Sequence, residues 1–329
     1  MSTLHTPNDT ATLIGYNSEM SQQVRFLPRI LKAITNPNRT LIQKIFTLNK
    51  LMFNWIKKIR RIRIVIKPAR SWRHAGWGMS TNSALPWDTI SSTDQTGIQF
   101  AEANQLLLNK IENSFFILSQ MKFVGGGYVD EPSKLLDHLL WRHYVVYWSA
   151  KFSTKFTSFS RCNLVEAGVC DGLTANFAIS AVEAELGKDS HFEVFLYDAW
   201  DEMKKEFLTE KEKFNIGDYA YLQIEQTKKN LNDFQDRCSF IKGYIPGVFT
   251  ENPGPDELSW LHIDLNSSMP TLETLEHFLP KLLSGGVVLF DDYGWKKYEE
   301  TKTAADKFCS KFDGLLMPLP TGQAIFFKH

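Results

Sequence analysis

Four short clusters in the second half of this 329-residue chain have residue types and spacings that could do chemistry. The first, Val165-Glu166-Ala167-Gly168-Val169-Cys170-Asp171-Gly172-Leu173-Thr174, reads as a strand running into a glycine-bearing loop that opens a helix. There Gly168 and Gly172 let the backbone approach a ligand closely, with Glu166 and Asp171 beside them. A dinucleotide fingerprint needs G-x-G-x-x-G, but this loop reads E-x-G-x-x-x-G and lacks the glycine that admits a pyrophosphate, so a cofactor without one fits better. The second, Tyr197-Asp198-Ala199-Trp200, puts a carboxylate where nucleotide-binding α/β sheets hold ribose hydroxyls, although a helix N-cap would use the same residue. The third and fourth, His262-Ile263-Asp264 and Asp291-Asp292-Tyr293-Gly294, bring three carboxylates to one edge if their strands are neighbours. Like charges that close raise one another's pKa unless a cation sits among them. A hard divalent ion prefers such an oxygen cluster, and Mg²⁺ is the ion implied.

These clusters need a scaffold that lines them up. After Ser160 short apolar runs alternate with helical stretches, the rhythm of repeated βα units around a parallel sheet. Strands are expected at Asn163–Ala167, Glu193–Asp198, Ser239–Lys242, Trp260–Asp264 and Gly286–Asp291. Leu315–Pro318 and Ala324–Lys328 flank Leu319-Pro320-Thr321-Gly322, which predicts a closing antiparallel hairpin. Ahead of the sheet, helical patterns cover Ala101–Gln120 and Pro132–Phe152, separated by Gly125-Gly126-Gly127. The expected organisation is a basic extension over 1–90, a helical cap over 91–158 and a catalytic domain over 159–329. The fold class is α/β, a doubly wound, mostly parallel sheet.

The formal charge is zero overall, yet fourteen Lys or Arg and no acidic residue lie between Met20 and Trp87. From Leu41 to Ile66 the apolar residues Leu41, Ile45, Leu48, Met52, Trp55, Ile59, Ile62 and Ile66 recur in gaps of four and three, one helical stripe with basic residues off it. Packing on the catalytic domain or on a second copy of the chain accounts for such a stripe, and so does docking on an anionic membrane surface. No nucleic-acid recognition motif accompanies the charge, so a nucleic-acid partner is not expected. The four cysteines show no metal-ligand spacing and the N-terminus no signal-peptide layout, which points to a reducing, cytoplasmic setting, peripheral to a membrane if the basic stripe docks there.

With the four clusters in this order, residues 160 to 329 resemble the metal-dependent class I O-methyltransferases, and among them the macrocin O-methyltransferase family that acts on sugar hydroxyls. The resemblance rests on His262-Ile263-Asp264 through Thr271 and on Gly285-Gly286-Val287-Val288-Leu289-Phe290-Asp291-Asp292-Tyr293. It implies a Rossmann-like domain. It also implies S-adenosylmethionine held by the Glu166–Gly172 loop and Asp198, a metal held by Asp264, Asp291 and Asp292, and a sugar-like acceptor. The family reads I-D-x-D-x-Y where this chain has Asn266 and Ser268, so the carboxylate taken as general base is an amide here. His262 is the nearest alternative base by sequence, although a histidine at a strand end is more often a packing residue. Two further readings stay open: a metal-independent methyltransferase acting on another nucleophile, and a non-catalytic cofactor-fold protein tethered by its basic region.

Overall fold

The computed structural model describes residues 95–119, 131–157 and 162–329. The basic extension, its apolar stripe at 41–66 and the glycine run at 125–127 lie outside the described residues. Two helices come first, α1 (Gln95–Glu112) and α2 (Pro132–Phe156), followed by β1 (Cys162–Ala167), α3 (Leu173–Leu186) and β2 (Phe192–Asp198). A long insertion with short 3₁₀ turns leads to α4 (Ile224–Asn230) and β3 (Cys238–Lys242). Then come β4 (Leu258–Ile263), α5 (Ser268–Phe278), β5 (Leu282–Phe290), α6 (Glu299–Cys309) and the hairpin β6 (Gly314–Pro318) and β7 (Ala324–Lys328).

The seven strands form one sheet in the order β3-β2-β1-β4-β5-β7-β6, parallel through β5, with β7 antiparallel to both β5 and β6. The expected five parallel strands and closing hairpin are therefore all present. Central strand β4 is buried along its whole length, as a parallel strand covered on both faces must be. Successive residues feed opposite faces: Leu164, Trp260 and Val287 pack with α1, α2 and α3, whereas Val165, Leu261 and Val288 pack with α5 and α6. The amphipathic α6 shows the spacing directly, burying Thr301, Ala305, Phe308 and Cys309.

Helices α1 and α2 share the core of α3, and α2 also contacts β4 and β5. α1 stops at Glu112, before the Gln120 that its apolar pattern suggested. Ser114 there takes a left-handed φ of 62° while Phe115 and Phe116 donate backbone hydrogen bonds to the Lys110 carbonyl, which closes the helix end. No helix among the described residues is long and apolar enough to cross a membrane.

Candidate active site

The strand order reverses between β1 and β4, and open α/β sheets place their crevice at the carboxyl ends of the strands flanking such a switch. A cavity of about 1160 Å³ lies there, lined among others by Gly168–Asp171, Asp198, Gly243–Ile245, Asp264, Asn266, Asp291 and Asp292. That is more room than one small ligand ordinarily takes, enough for a cofactor and an acceptor together.

The loop after β1 is shaped by the protein itself. Gly168 has a φ of +90°, and a Cβ there would lie 1.9 Å from the Asp264 carbonyl oxygen. Gly172, at +87°, would set a Cβ 3.0 Å from Leu231. Both glycines are required by close packing inside the protein, whatever the loop holds on its cavity side. Asp198 braces the same loop, its Oδ2 accepting the Val169 and Cys170 N–H at 2.7 and 2.9 Å and its Oδ1 the Trp200 N–H at 2.7 Å. Burial pushes the Asp198 carboxyl up, and these backbone donors pull it back. Asp198 also lines the cavity. Asp171 is held by Ser119, whose hydroxyl and N–H donate at 2.5 and 2.8 Å, while Asn230 bonds both the Asp171 carbonyl and Ile117. Glu166 does not reach the cavity: it is buried under the sheet edge, 3.1 Å from His262 Nδ1. As a direct cofactor ligand it is replaced by its role as partner to that ring.

On the other side of the switch, Asp264, Asp291 and Asp292 each present an oxygen, the three within 4.8 Å of one another. Their surroundings were only partly legible in the sequence. Arg142, from the middle of α2, donates from Nε to both oxygens of Asp291 at 2.9 and 2.8 Å and from Nη2 to Asp264 Oδ2 at 2.6 Å. Gln323, just before β7, adds a 2.9 Å bond to Asp291 Oδ1. Burial alone would raise the Asp291 carboxyl, but Arg142 and His262 outweigh it and hold the group well below the usual carboxylate range. Burial and the neighbouring Asp291 push Asp264 up to about 6, and burial with both neighbouring carboxylates pushes Asp292 up further still from its usual value.

Asn266, with a left-handed φ of 53°, is oriented at both ends. Its Nδ2 points to Asp264 Oδ1 at 3.3 Å, its Oδ1 accepts the Tyr298 hydroxyl at 2.9 Å, and its backbone N–H donates to Asp292 at 2.8 Å. It stands at the cavity wall as an amide that can bind and orient but not take a proton. His262 is fully buried below the floor and does not line the cavity; its Nε2 lies 3.9 Å from Asp291. Burial works against its charged form, yet Asp291 and Glu166 overcome this and push it up to about 9. That placement counts against its reading as a base: the ring is enclosed, bonded at Nδ1 to Glu166, and absent from the cavity lining where an acceptor hydroxyl would sit.

Sequence reasoning also missed the insertion after β2. Met203, Lys204, Phe207, Phe214 and Tyr219 line the cavity, joined by Trp295 and Tyr298 after β5. Buried Glu212 ties this wall down by accepting the Thr209 and Ser268 N–H at 3.0 and 2.7 Å and the Ser267 hydroxyl at 3.2 Å. Its only sequence signal is length, a charged stretch too long for an ordinary strand-to-helix connection.

The strand order, the switch-point cavity and the carboxyl-end site together define a Rossmann-like α/β domain. Residues 165–293 match the family model described as a methyltransferase domain. Among solved structures, the O-methyltransferase NovP aligns with a TM-score of 0.54 at 16% identity, covering 71% of this chain and 99% of that one. The calicheamicin methyltransferase CalS11 aligns with a TM-score of 0.48 at 16% identity, covering 69% and 91%. No curated protein matches the sequence significantly. Residues 165–293 are thus similar to a methyltransferase domain, set in a Rossmann-like fold that NovP shares.

Proposed function

We propose that this enzyme transfers the methyl group of S-adenosylmethionine to a hydroxyl of a sugar or related polyhydroxylated small molecule, with a divalent ion, Mg²⁺ by preference, at Asp264, Asp291 and Asp292. The observation that carries this reading is the convergence of those three carboxylates on the cavity beside the glycine loop. The donor set suits a hard cation: three carboxylate oxygens lie within 4.8 Å of one another, and a divalent ion among them would favour their ionised forms. An ion held there would lower the pKa of the acceptor hydroxyl by Lewis acidity; the hydroxyl proton leaves to solvent water as the C–O bond forms, and the sulfur keeps the electron pair of the broken S–CH₃ bond.

The chain's own residues do the rest. Gly168 to Asp171 and Asp198 hold the cofactor, Asp198 through its ribose hydroxyls, and the sulfonium provides its own leaving group. Asn266, fixed by Tyr298 and Asp264, hydrogen-bonds and orients the acceptor hydroxyl. The insertion wall and Trp295 close over the acceptor and limit water, so positioning supplies much of the rate. Residues 1–90 act as a basic extension that docks on an anionic membrane surface or a second copy, which leaves the enzyme cytoplasmic or peripheral.

A metal-independent reading draws support from one observation, the guanidinium already bridging Asp264 and Asp291. Methyl transfer from labelled cofactor to a panel of sugar acceptors, with Mg²⁺ and with EDTA, separates the two. Transfer with Mg²⁺ that disappears in EDTA is the expected outcome. Full activity in EDTA removes the ion from the mechanism, and cofactor binding without transfer to any acceptor favours a non-catalytic protein.

A further inference from the structure

Arg142 holds the same oxygens that the ion reading requires. Its Nε spans both oxygens of Asp291, its Nη2 takes Asp264 Oδ2, and its Nη1 lies 3.3 Å from His143 Nε2. His143 is fully buried and stacked on Phe177 at a centroid distance of 4.7 Å. In its neutral form it accepts from the guanidinium and adds no competing charge. The arginine head is thus fixed on three sides by groups from α2, β4 and β5, and its side chain is only 19% exposed.

A guanidinium and a divalent ion cannot use one carboxylate oxygen at full strength together. The ion demands oxygens at roughly 2.0–2.6 Å, and at such range it repels a cation bound to the same atoms. We propose that Arg142 is the resident counter-ion of this cluster and competes with the divalent ion, so that the ion binds only as the guanidinium releases Asp264, Asp291 or both. This rests on the divalent-ion reading above. Its consequence is an active site that keeps its carboxylates in place before the ion arrives and binds the ion weakly enough to exchange it.

The test is Mn²⁺ binding to the full-length chain, followed by calorimetry and by the loss of free-ion paramagnetic resonance signal, in wild type, Arg142→Lys and Arg142→Gln. Arg142→Gln is expected to bind Mn²⁺ tighter by roughly tenfold or more, the scale of removing one unit charge at contact range. Arg142→Lys should fall between, because an ammonium cannot span two carboxylates. Equal or weaker binding by Arg142→Gln, with retained S-adenosylhomocysteine binding as proof of folding, overturns the competition and leaves the ion reading standing. Absence of Mn²⁺ binding from every variant overturns both. A readout on the unaltered protein guards against misfolded variants: the Arg142 Nε–Hε nuclear resonance should move during Mg²⁺ titration, and a resonance unchanged at saturation sinks the proposal.

Discussion

The two banks of the cavity solve different problems. On the β1–β2 bank, the polar groups of the loop are satisfied from within: Asp198 takes three backbone N–H groups, the Cys170 carbonyl takes the Trp200 indole and the Thr227 hydroxyl, and Asp171 is clasped by Ser119. On the β4–β5 bank, charge is concentrated beyond what hydrogen bonds can settle, and one arginine from a distant helix offsets part of it. The first bank is a shape held ready. The second is an electrostatic load waiting for a partner, the kind of arrangement in which catalysis by charge stabilisation is built.

The contrast is broken most severely at Asp291, which holds Arg142 and Gln323 and neighbours His262. Asp291→Asn is expected to lower kcat by roughly 10²–10³-fold, the usual cost of removing one preorganised charge-stabilising group. S-adenosylhomocysteine affinity, which the proposed function assigns to the other bank, should stay close to wild type in calorimetric titration. A parallel loss of both would mean that the banks are one unit. Asp198→Ala attacks the other bank and should reverse the pattern, weakening S-adenosylhomocysteine by about 1–3 kcal/mol through lost hydrogen bonds. Mn²⁺ affinity should hardly change, and a large change in it would count against the division.

A smaller effect comes from His262, whose folded value near 9 lies above its ordinary 6.5. Because the folded state binds the proton more tightly, its contribution to stability is complete below pH 6.5 and fades as pH rises through 9. Urea midpoints for wild type should therefore fall across that window in metal-free buffer, and those of His262→Gln should fall less. Parallel profiles would show that the ring is not charged between Glu166 and Asp291.

The same division explains what was legible in the sequence. Strands and their terminal acids obey local rules, because alternation and strand ends are set within a few residues; the strand order and the Asp264–Asp291–Asp292 convergence both followed. The partners did not, because their contacts span the chain. Arg142 lies 149 positions from Asp291. It stood out only as a single basic residue within Leu139-Leu140-Trp141 and Tyr144-Val145-Val146, an apolar run on a helix otherwise read as a cap. The glycines show the same limit: a positive φ is suggested by the residue type, but that Leu231 and the Asp264 carbonyl crowd these positions is set by tertiary packing.

The clasp joining Asp171 and Asn230 to residues 117–119 carries a thermodynamic consequence. The segment that ends α1 and the loop that begins α3 share their hydrogen bonds, so neither can open locally while the other stays closed. A cofactor that binds only the closed loop then adds its binding free energy to that segment as well, by mass action. With such a cofactor, the order of residues 117–119 becomes a function of how much of it is supplied.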